Sequence, residues 1–102
     1  MIKLDIMSYA DAIDSETPVL VKFEADWCGP CKTFAPTFEQ FANENPDIKC
    51  YSVDCEMMTD VVAELGIMSI PCTIVFKDGK DLMRKQGKLT TQELKDLYDC
   101  KI

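Results

Sequence analysis

The order of hydrophobic patterns along the chain predicts one α/β domain, in which a mixed central sheet is covered on both faces by helices. Short apolar runs rich in β-branched residues alternate with stretches of helical spacing, in the order βαβαβαββα. The first half can form parallel βαβ units, whereas an Asp-Gly turn joins the last two strands as an antiparallel hairpin. The 102 residues contain no internal repeat and no linker, so we expect a single domain over residues 1–102.

The first elements follow from local signals. A short strand is expected at Ile2–Leu4. Ser8 offers an N-cap for the next helix, because Asp11 follows three residues later in a capping-box pattern. Pro18 closes this region. Val19–Ala25 is predicted to be a buried strand, because it is apolar and β-branched but too short for a helix.

A long amphipathic helix is predicted from near Lys32 to about Asn45, where an Asn-Pro-Asp sequence stops it. Its apolar face consists of Phe34, Phe38 and Phe41. Pro36 lies inside this helix and is expected to kink it, because proline removes one backbone hydrogen bond. A second buried strand is expected at Ile48–Val53.

The remaining elements are a short helix, a hairpin and a final helix. Thr59 is the expected N-cap of the short helix and Gly66 its terminating residue. The hairpin strands are predicted at Cys72–Phe76 and Asp81–Gln86, on either side of the Asp-Gly turn. Thr91 is the expected cap of the final helix. The apolar stripe of that helix consists of Leu94, Leu97, Tyr98 and Ile102.

The sequence Trp-Cys-Gly-Pro-Cys at residues 27–31 lies between a predicted strand and a predicted helix. Cys28 and Cys31 can close and reopen a small disulfide ring with little movement of the backbone. At the first turn of a helix, free N–H groups and the macrodipole favour the thiolate, which is the nucleophile in disulfide exchange. Pro30 suits the first helical position, where its missing N–H costs nothing. A chance cysteine pair in a loop and half of a zinc site remain alternatives.

Composition limits the partners and cofactors. The net charge of −7 argues against nucleic acid as a partner, because phosphate binding needs a basic face. No apolar run could span a bilayer and the amino terminus lacks a signal-peptide pattern, so we expect no membrane association and a cytoplasmic location. The absence of histidine excludes imidazole metal ligands, and Cys50 and Cys55 are too far apart for a second cysteine pair at a zinc site. We therefore expect no bound metal or other cofactor.

These residues resemble the thioredoxin family over essentially the full length of the chain. The matching features are the Trp27–Lys32 motif, Pro36, Asp54, Ile70-Pro71, the Phe76–Lys80 hairpin and Gly87. The resemblance implies a thioredoxin fold, with a central mixed five-stranded sheet flanked by four helices.

The resemblance also implies roles for the motif residues. Cys28 would be the exposed attacking thiol and Cys31 the buried resolving thiol. Gly29 and Pro30, between them, would set the geometry of the disulfide ring and the reduction potential of the pair. Trp27 would flank the substrate groove, although it also fits a partly buried structural anchor. The groove would further include Ile70, a cis Pro71 that keeps a backbone edge open, and Gly87. Pro71 also fits a simple loop breaker before a strand.

The activity implied is that of a protein-disulfide reductase, an electron carrier that takes part in cell redox homeostasis. The chain would be a monomer that binds no cofactor. Its disulfide would be reduced by an NADPH-dependent thioredoxin reductase, and its substrates would be disulfide-containing proteins such as peroxiredoxins.

Two other functions fit less well. A glutaredoxin-like or isomerase-like role is weakened by Gly-Pro between the cysteines, where isomerases usually have Gly-His. A non-catalytic adaptor could bind partners through the groove around Trp27, Pro71 and Gly87, but the intact cysteine pair argues against it.

Lys22 departs from the family pattern. Thioredoxins usually carry at this position a buried acidic residue that assists proton transfer at the resolving cysteine. Because side chains alternate along a strand, Glu24 shares a face with Lys22. A charged Lys22 that pairs with Glu24 and reaches toward solvent is expected, with either a structural or a functional role.

The remaining cysteines have no expected catalytic role. Cys50, Cys55 and Cys72 lie in apolar surroundings and should be reduced and mostly inert. Cys100 lies near the carboxyl terminus, so it should be the one that cross-links under oxidation.

Overall fold

The structure, a computed structural model that describes residues 2–100, confirms the predicted thioredoxin fold. The elements are β1 (Ile2–Leu4), α1 (Ile6–Ile13), β2 (Val19–Glu24), α2 (Gly29–Glu44), β3 (Lys49–Asp54), α3 (Thr59–Leu65), β4 (Cys72–Lys77), β5 (Lys80–Gln86) and α4 (Thr91–Tyr98). The five strands form one sheet in the order β1-β3-β2-β4-β5. β1, β2 and β3 are parallel, whereas β4 runs antiparallel to β2, and β5 runs antiparallel to β4.

Helices cover both faces of the sheet and form two apolar cores. On one face α1 and α3 pack against the sheet, with Val21 and Phe23 of β2 at the centre of the core. On the other face the core includes Leu20, Val75 and residues of α2 and α4. The helical residues of this second core are Phe34, Phe38, Phe41, Leu94 and Leu97. Each of these side chains stabilises the fold by roughly 1.5–3 kcal/mol through burial.

The N-caps of α1 and α4 lie earlier in the chain than the sequence predicted. Asp5, not Ser8, caps α1: its carboxylate accepts the N–H of Ser8 at 2.9 Å, while the Ser8 hydroxyl accepts the N–H of Asp5 at 3.0 Å. This reciprocal pair satisfies the same pattern as Ser8 with Asp11, but it starts the helix one turn sooner. Thr90, not Thr91, caps α4, because its hydroxyl accepts the N–H of Glu93 at 3.1 Å.

The helices α2 and α3 also begin earlier than predicted. Thr59 is the first residue of α3 and Met58 is its N-cap, without a side-chain hydrogen bond, so that prediction is off by one residue. Gly66 ends α3 with a φ of +66°, a left-handed conformation that favours glycine. α2 already starts at Gly29 and continues through Pro36, and the expected kink stays a prediction. Ile102 lies outside the described residues.

The position of β2 matters for the site. It lies in the middle of the sheet between β3 and β4, so Val19–Phe23 is buried on both faces. Its carboxyl end leads directly to the cysteine motif. None of the helices within residues 2–100 is both long and apolar enough to cross a membrane.

Candidate active site

The two cysteines lie at the amino end of α2 and are joined by a disulfide, with their Cα atoms 5.2 Å apart. Cys28 is the N-cap residue, and its Sγ accepts the backbone N–H of Cys31 at 3.2 Å. Gly29 takes the first helical position and Pro30 the second, one later than predicted. Because the first four N–H groups of a helix lack partners, proline still costs no hydrogen bond there. The Cys28 sulfur therefore lies where backbone dipoles favour negative charge.

Both cysteines are covered, which differs from the expected exposure of the attacking thiol. Cys28 is 4% exposed and Cys31 is 2% exposed. They form a small apolar cluster with Ala25, and Ile70 packs against it. The Cys28 sulfur lies 3.7 Å from the carbonyl oxygen of Ile70. In this disulfide form, the two sulfurs thus differ in their hydrogen bonding more than in their contact with water.

Of the predicted groove residues, Ile70 packs against the cysteine cluster, and Gly87 is hydrogen-bonded to Pro71. The Ile70–Pro71 peptide bond is cis, as predicted, and Pro71 is buried. Gly87 has a φ of +88°, and its N–H donates to the carbonyl oxygen of Pro71 at 2.8 Å. A residue with a side chain would be strained at this φ, so glycine suits the position. Trp27 is 69% exposed, which excludes the alternative of a partly buried anchor in this state.

Lys22 is buried beneath the site, contrary to the expectation that it reaches toward solvent. Its side chain is 1% exposed, and its Nζ lies 2.8 Å from Glu24 Oε1. The same Nζ lies 5.2 Å from the centre of the Phe38 ring, which supplies a cation–π contact. The predicted ion pair is confirmed. The pair is oriented opposite to the expectation, because Glu24 at the end of β2 is 21% exposed whereas Lys22 is buried.

Replacing Lys22 by aspartate is expected to lower the reduction potential of the cysteine pair. A cation near the site favours thiolates and so stabilises the reduced form, whereas a carboxylate opposes it. We expect a decrease of about 30 mV, equivalent to a tenfold change or somewhat less in the exchange equilibrium. A redox titration against glutathione, followed by alkylation, measures it. An unchanged potential would show that Lys22 has no electrostatic effect on the pair.

Glu24 is a residue of the site that the sequence indicated only as a partner of Lys22. It lines an open cavity of about 330 Å³ together with Ala25, Asp26, Cys31, Lys32 and Ala35. Strand periodicity places Glu24 on the same face as Lys22, but it cannot show that α2 brings Cys31 to that face. The antiparallel pairing also sets Thr73 opposite Lys22, and the Thr73 hydroxyl is buried without a hydrogen-bond partner among the described residues.

The other four cysteines are free thiols, as predicted. Cys50 and Cys72 are buried, Cys55 is half-buried and Cys100 is exposed. Burial raises the pKa of Cys50 to about 11. Burial and the nearby Asp54 carboxylate raise the pKa of Cys55 to about 11. Burial also raises the pKa of Cys72. Because the thiolate is the reactive form, these three thiols should react slowly at neutral pH.

Peroxide treatment is expected to produce disulfide-linked dimers through Cys100, because its thiol is exposed. Non-reducing gel electrophoresis detects them. Cys100→Ser should remove the dimer band, whereas Cys50→Ser should leave it unchanged. Dimers that persist in the Cys100→Ser protein would contradict this assignment.

The comparisons with known proteins agree with this geometry. A family model described as Thioredoxin matches residues 1–99. Thioredoxin C-2 of Corynebacterium nephridii is 38% identical over 94 residues, which cover 91% of this chain and 87% of that protein. The crystal structure of thioredoxin f2 from Chlamydomonas reinhardtii has a TM-score of 0.88 at 23% identity, covering 98% of this chain and 94% of that one.

A further solved structure comes from a study of the thiol resolving mechanism of a yeast mitochondrial 1-Cys peroxiredoxin via glutathione/thioredoxin systems. Its TM-score is 0.84 at 24% identity, and it covers 97% of this chain and 94% of that one. This similarity and that of thioredoxin f2 concern the fold. The family match over nearly the whole chain, together with a cysteine pair at bonding distance, shows that this protein belongs to the thioredoxin family and is a thiol-disulfide oxidoreductase of the protein-disulfide reductase type.

Proposed function

We propose that Cys28 is the attacking thiol of this reductase and that Cys31 is the resolving thiol. The observation that carries the assignment is the Cys28 sulfur at the N-cap of α2, where it accepts the N–H of Cys31. The same hydrogen bond stabilises a thiolate at Cys28 once the disulfide is reduced. Cys31 lies inside the first turn and its sulfur accepts no backbone N–H from residues 2–100, so the helix start favours the thiolate at Cys28 rather than at Cys31.

The reaction then proceeds in two exchanges. The Cys28 thiolate attacks one sulfur of a substrate disulfide, forms a mixed disulfide and releases the other sulfur as a thiolate. The Cys31 thiol loses its proton and attacks the Cys28 sulfur. This step forms the Cys28–Cys31 bond and releases the second substrate sulfur. Two electrons pass to the substrate, and the protein ends in the disulfide state seen in the structure.

The groove beside the disulfide is proposed to receive an extended segment of the substrate. Trp27 is exposed and would supply an aromatic surface to the substrate, and the carbonyl oxygen of Ile70 lies 3.7 Å from the Cys28 sulfur. A backbone hydrogen bond joins Gly87 to Pro71, and both residues would line this groove. Gly29 and Pro30 hold the helix start and so fix the distance between the sulfurs.

The electron donor and the setting are proposed from the family. A thioredoxin reductase that uses NADPH would return the pair to the dithiol, and peroxiredoxins would be among the substrates. Four free thiols suit a reducing compartment such as the cytoplasm. The charge of −7 favours a monomer, because like-charged copies repel one another.

An insulin-reduction assay tests the assignment. The wild type should catalyse precipitation of the reduced insulin chains. Cys31→Ser should be almost inactive and should accumulate a mixed disulfide that mass spectrometry detects. Equal activity of both proteins, or none in either, would contradict the proposal and favour an adaptor that only binds its partners through the groove.

A further inference from the structure

We propose that Glu24 accepts the proton of Cys31 during the resolving step and that Lys22 is the positioning residue that holds its carboxylate in place. This inference rests on the proposed roles of the two cysteines. It assigns to a residue of β2 the proton transfer that the second exchange requires.

The proton of Cys31 has to leave a buried position. The Cys31 side chain is 2% exposed, so its proton has little direct contact with bulk water. The open cavity of about 330 Å³ that Cys31 lines is also lined by Glu24. Glu24 is 21% exposed, so a carboxylate at this position contacts both the cavity and solvent. It can therefore take up a proton on the inside and release it to water.

Lys22 places a cation in the interior of the protein. An ammonium group that is 1% exposed is costly to bury unless a carboxylate compensates it. The 2.8 Å ion pair supplies that compensation and restricts the Glu24 side chain to the cavity side of β2. Thr73, opposite Lys22 in the sheet, adds a buried hydroxyl to the same region. The interior is thus polar beneath α2, where the rest of this core is apolar.

Other charged groups lie near Glu24, and the carboxylates among them are alternative proton acceptors for Cys31. Asp26 and Lys32 line the same cavity, and both are exposed. Asp54 is the neighbour of Glu24 across the pairing of β2 with β3. The N–H of Cys55 donates to the Glu24 carbonyl oxygen at 2.8 Å. Among these groups, Asp26 is the one other carboxylate on the cavity wall, but it makes no ion pair with Lys22.

In the resolving step the Cys31 thiol gives its proton to the Glu24 carboxylate, and the resulting thiolate attacks the Cys28 sulfur. The Cys28–Cys31 bond forms while the bond from Cys28 to the substrate sulfur breaks. The substrate leaves as a thiolate, which is protonated by solvent, and Glu24 releases its proton to water.

The test uses reduced full-length protein with 5,5′-dithiobis(2-nitrobenzoate) as a chromogenic disulfide, in a Cys100→Ser background that removes the exposed extra thiol. Stopped-flow absorbance follows two releases of nitrothiobenzoate. The first phase depends on reagent concentration and reports the attack by Cys28. The second is independent of concentration and reports the attack by Cys31, so the two steps are separated in one experiment.

We expect Glu24→Gln to leave the first phase within about twofold and to slow the second at least about tenfold at about pH 6, where a thiol without a nearby base is mostly protonated. The difference should disappear at alkaline pH, where the thiolate forms without help. Glu24→Asp should restore much of the rate. Asp26→Asn is the matched control, because it removes the other carboxylate of the cavity wall, and it should behave like the wild type.

Glu24→Gln leaves the Lys22 charge without its partner and could impair folding, so Lys22→Met/Glu24→Gln provides a second variant without that charge. It should also resolve slowly at about pH 6. If the second phase of this double variant is as fast as that of the wild type across the pH range, Glu24 is not the proton acceptor. Equal slowing by Asp26→Asn would contradict that role as well. Neither result would affect the assignment of Cys28. Absence of the first phase in the wild type would overturn the assignment of Cys28, and with it this proposal.

Discussion

Replacing Cys28 by serine is expected to reduce the rate of insulin reduction to the background of the chemical reductant alone. A serine hydroxyl at the N-cap position can still accept the N–H of Cys31, so the fold should be retained. It cannot form the mixed disulfide, however, because no sulfur is available for exchange. Cys100→Ser, which removes an exposed thiol far from the motif in sequence, is the matched control and should keep full activity.

The same assignment predicts which thiol reacts first in the reduced protein. Iodoacetamide at neutral pH should alkylate Cys28 much faster than Cys31. The reason is the position of the sulfur at the helix start, since both cysteines are nearly covered in the disulfide state. Peptide mass spectrometry after a short reaction measures the ratio. Preferential labelling of Cys31, or an active Cys28→Ser protein, would show that the nucleophile is assigned wrongly.

The fold was largely predictable because each element has a clear hydrophobic period. The order of elements, the hairpin and the position of the motif follow from that period and from turn residues. The predicted caps of α1 and α4 were wrong because more than one nearby polar residue could cap each helix. Asp5 and Thr90 are the observed caps because a second side chain completes reciprocal hydrogen bonds with each of them. That side chain is Ser8 for Asp5 and Glu93 for Thr90. Local sequence does not rank such alternatives.

The site was less predictable wherever it depends on contacts between distant segments. The cysteine motif and the cis proline could be recognised from adjacent residues. The burial of Lys22 could not, because a charged residue near the end of a strand usually reaches water. Here α2 and the neighbouring strands cover it, and Glu24 beside it makes burial tolerable. The covered sulfur of Cys28 likewise results from Ile70, which lies 42 positions away in the chain.

The stability of the protein should depend strongly on the charge at position 22. We expect Lys22→Asp to lower the free energy of unfolding of the oxidised protein by about 3 kcal/mol, because breaking a buried ion pair typically costs 3–5 kcal/mol and Glu24 is partly solvated. The new carboxylate would also face Glu24 at close range, and like charges repel each other more strongly in the protein interior than in water.

Lys22→Met is the variant that separates charge from volume. Methionine fills a similar space beside Phe38 without a charge, and it leaves no fully buried charge without a partner, because Glu24 is 21% exposed. Its free energy of unfolding should therefore stay within about 1 kcal/mol of the wild type, since Glu24 can turn toward solvent. Urea unfolding of the oxidised proteins, followed by circular dichroism at neutral pH, measures both values. Equal stability of the aspartate and methionine variants would show that the Lys22–Glu24 pair contributes through packing alone. A large loss in the methionine variant would mean that the buried ammonium itself stabilises the fold, through Glu24 and the Phe38 ring.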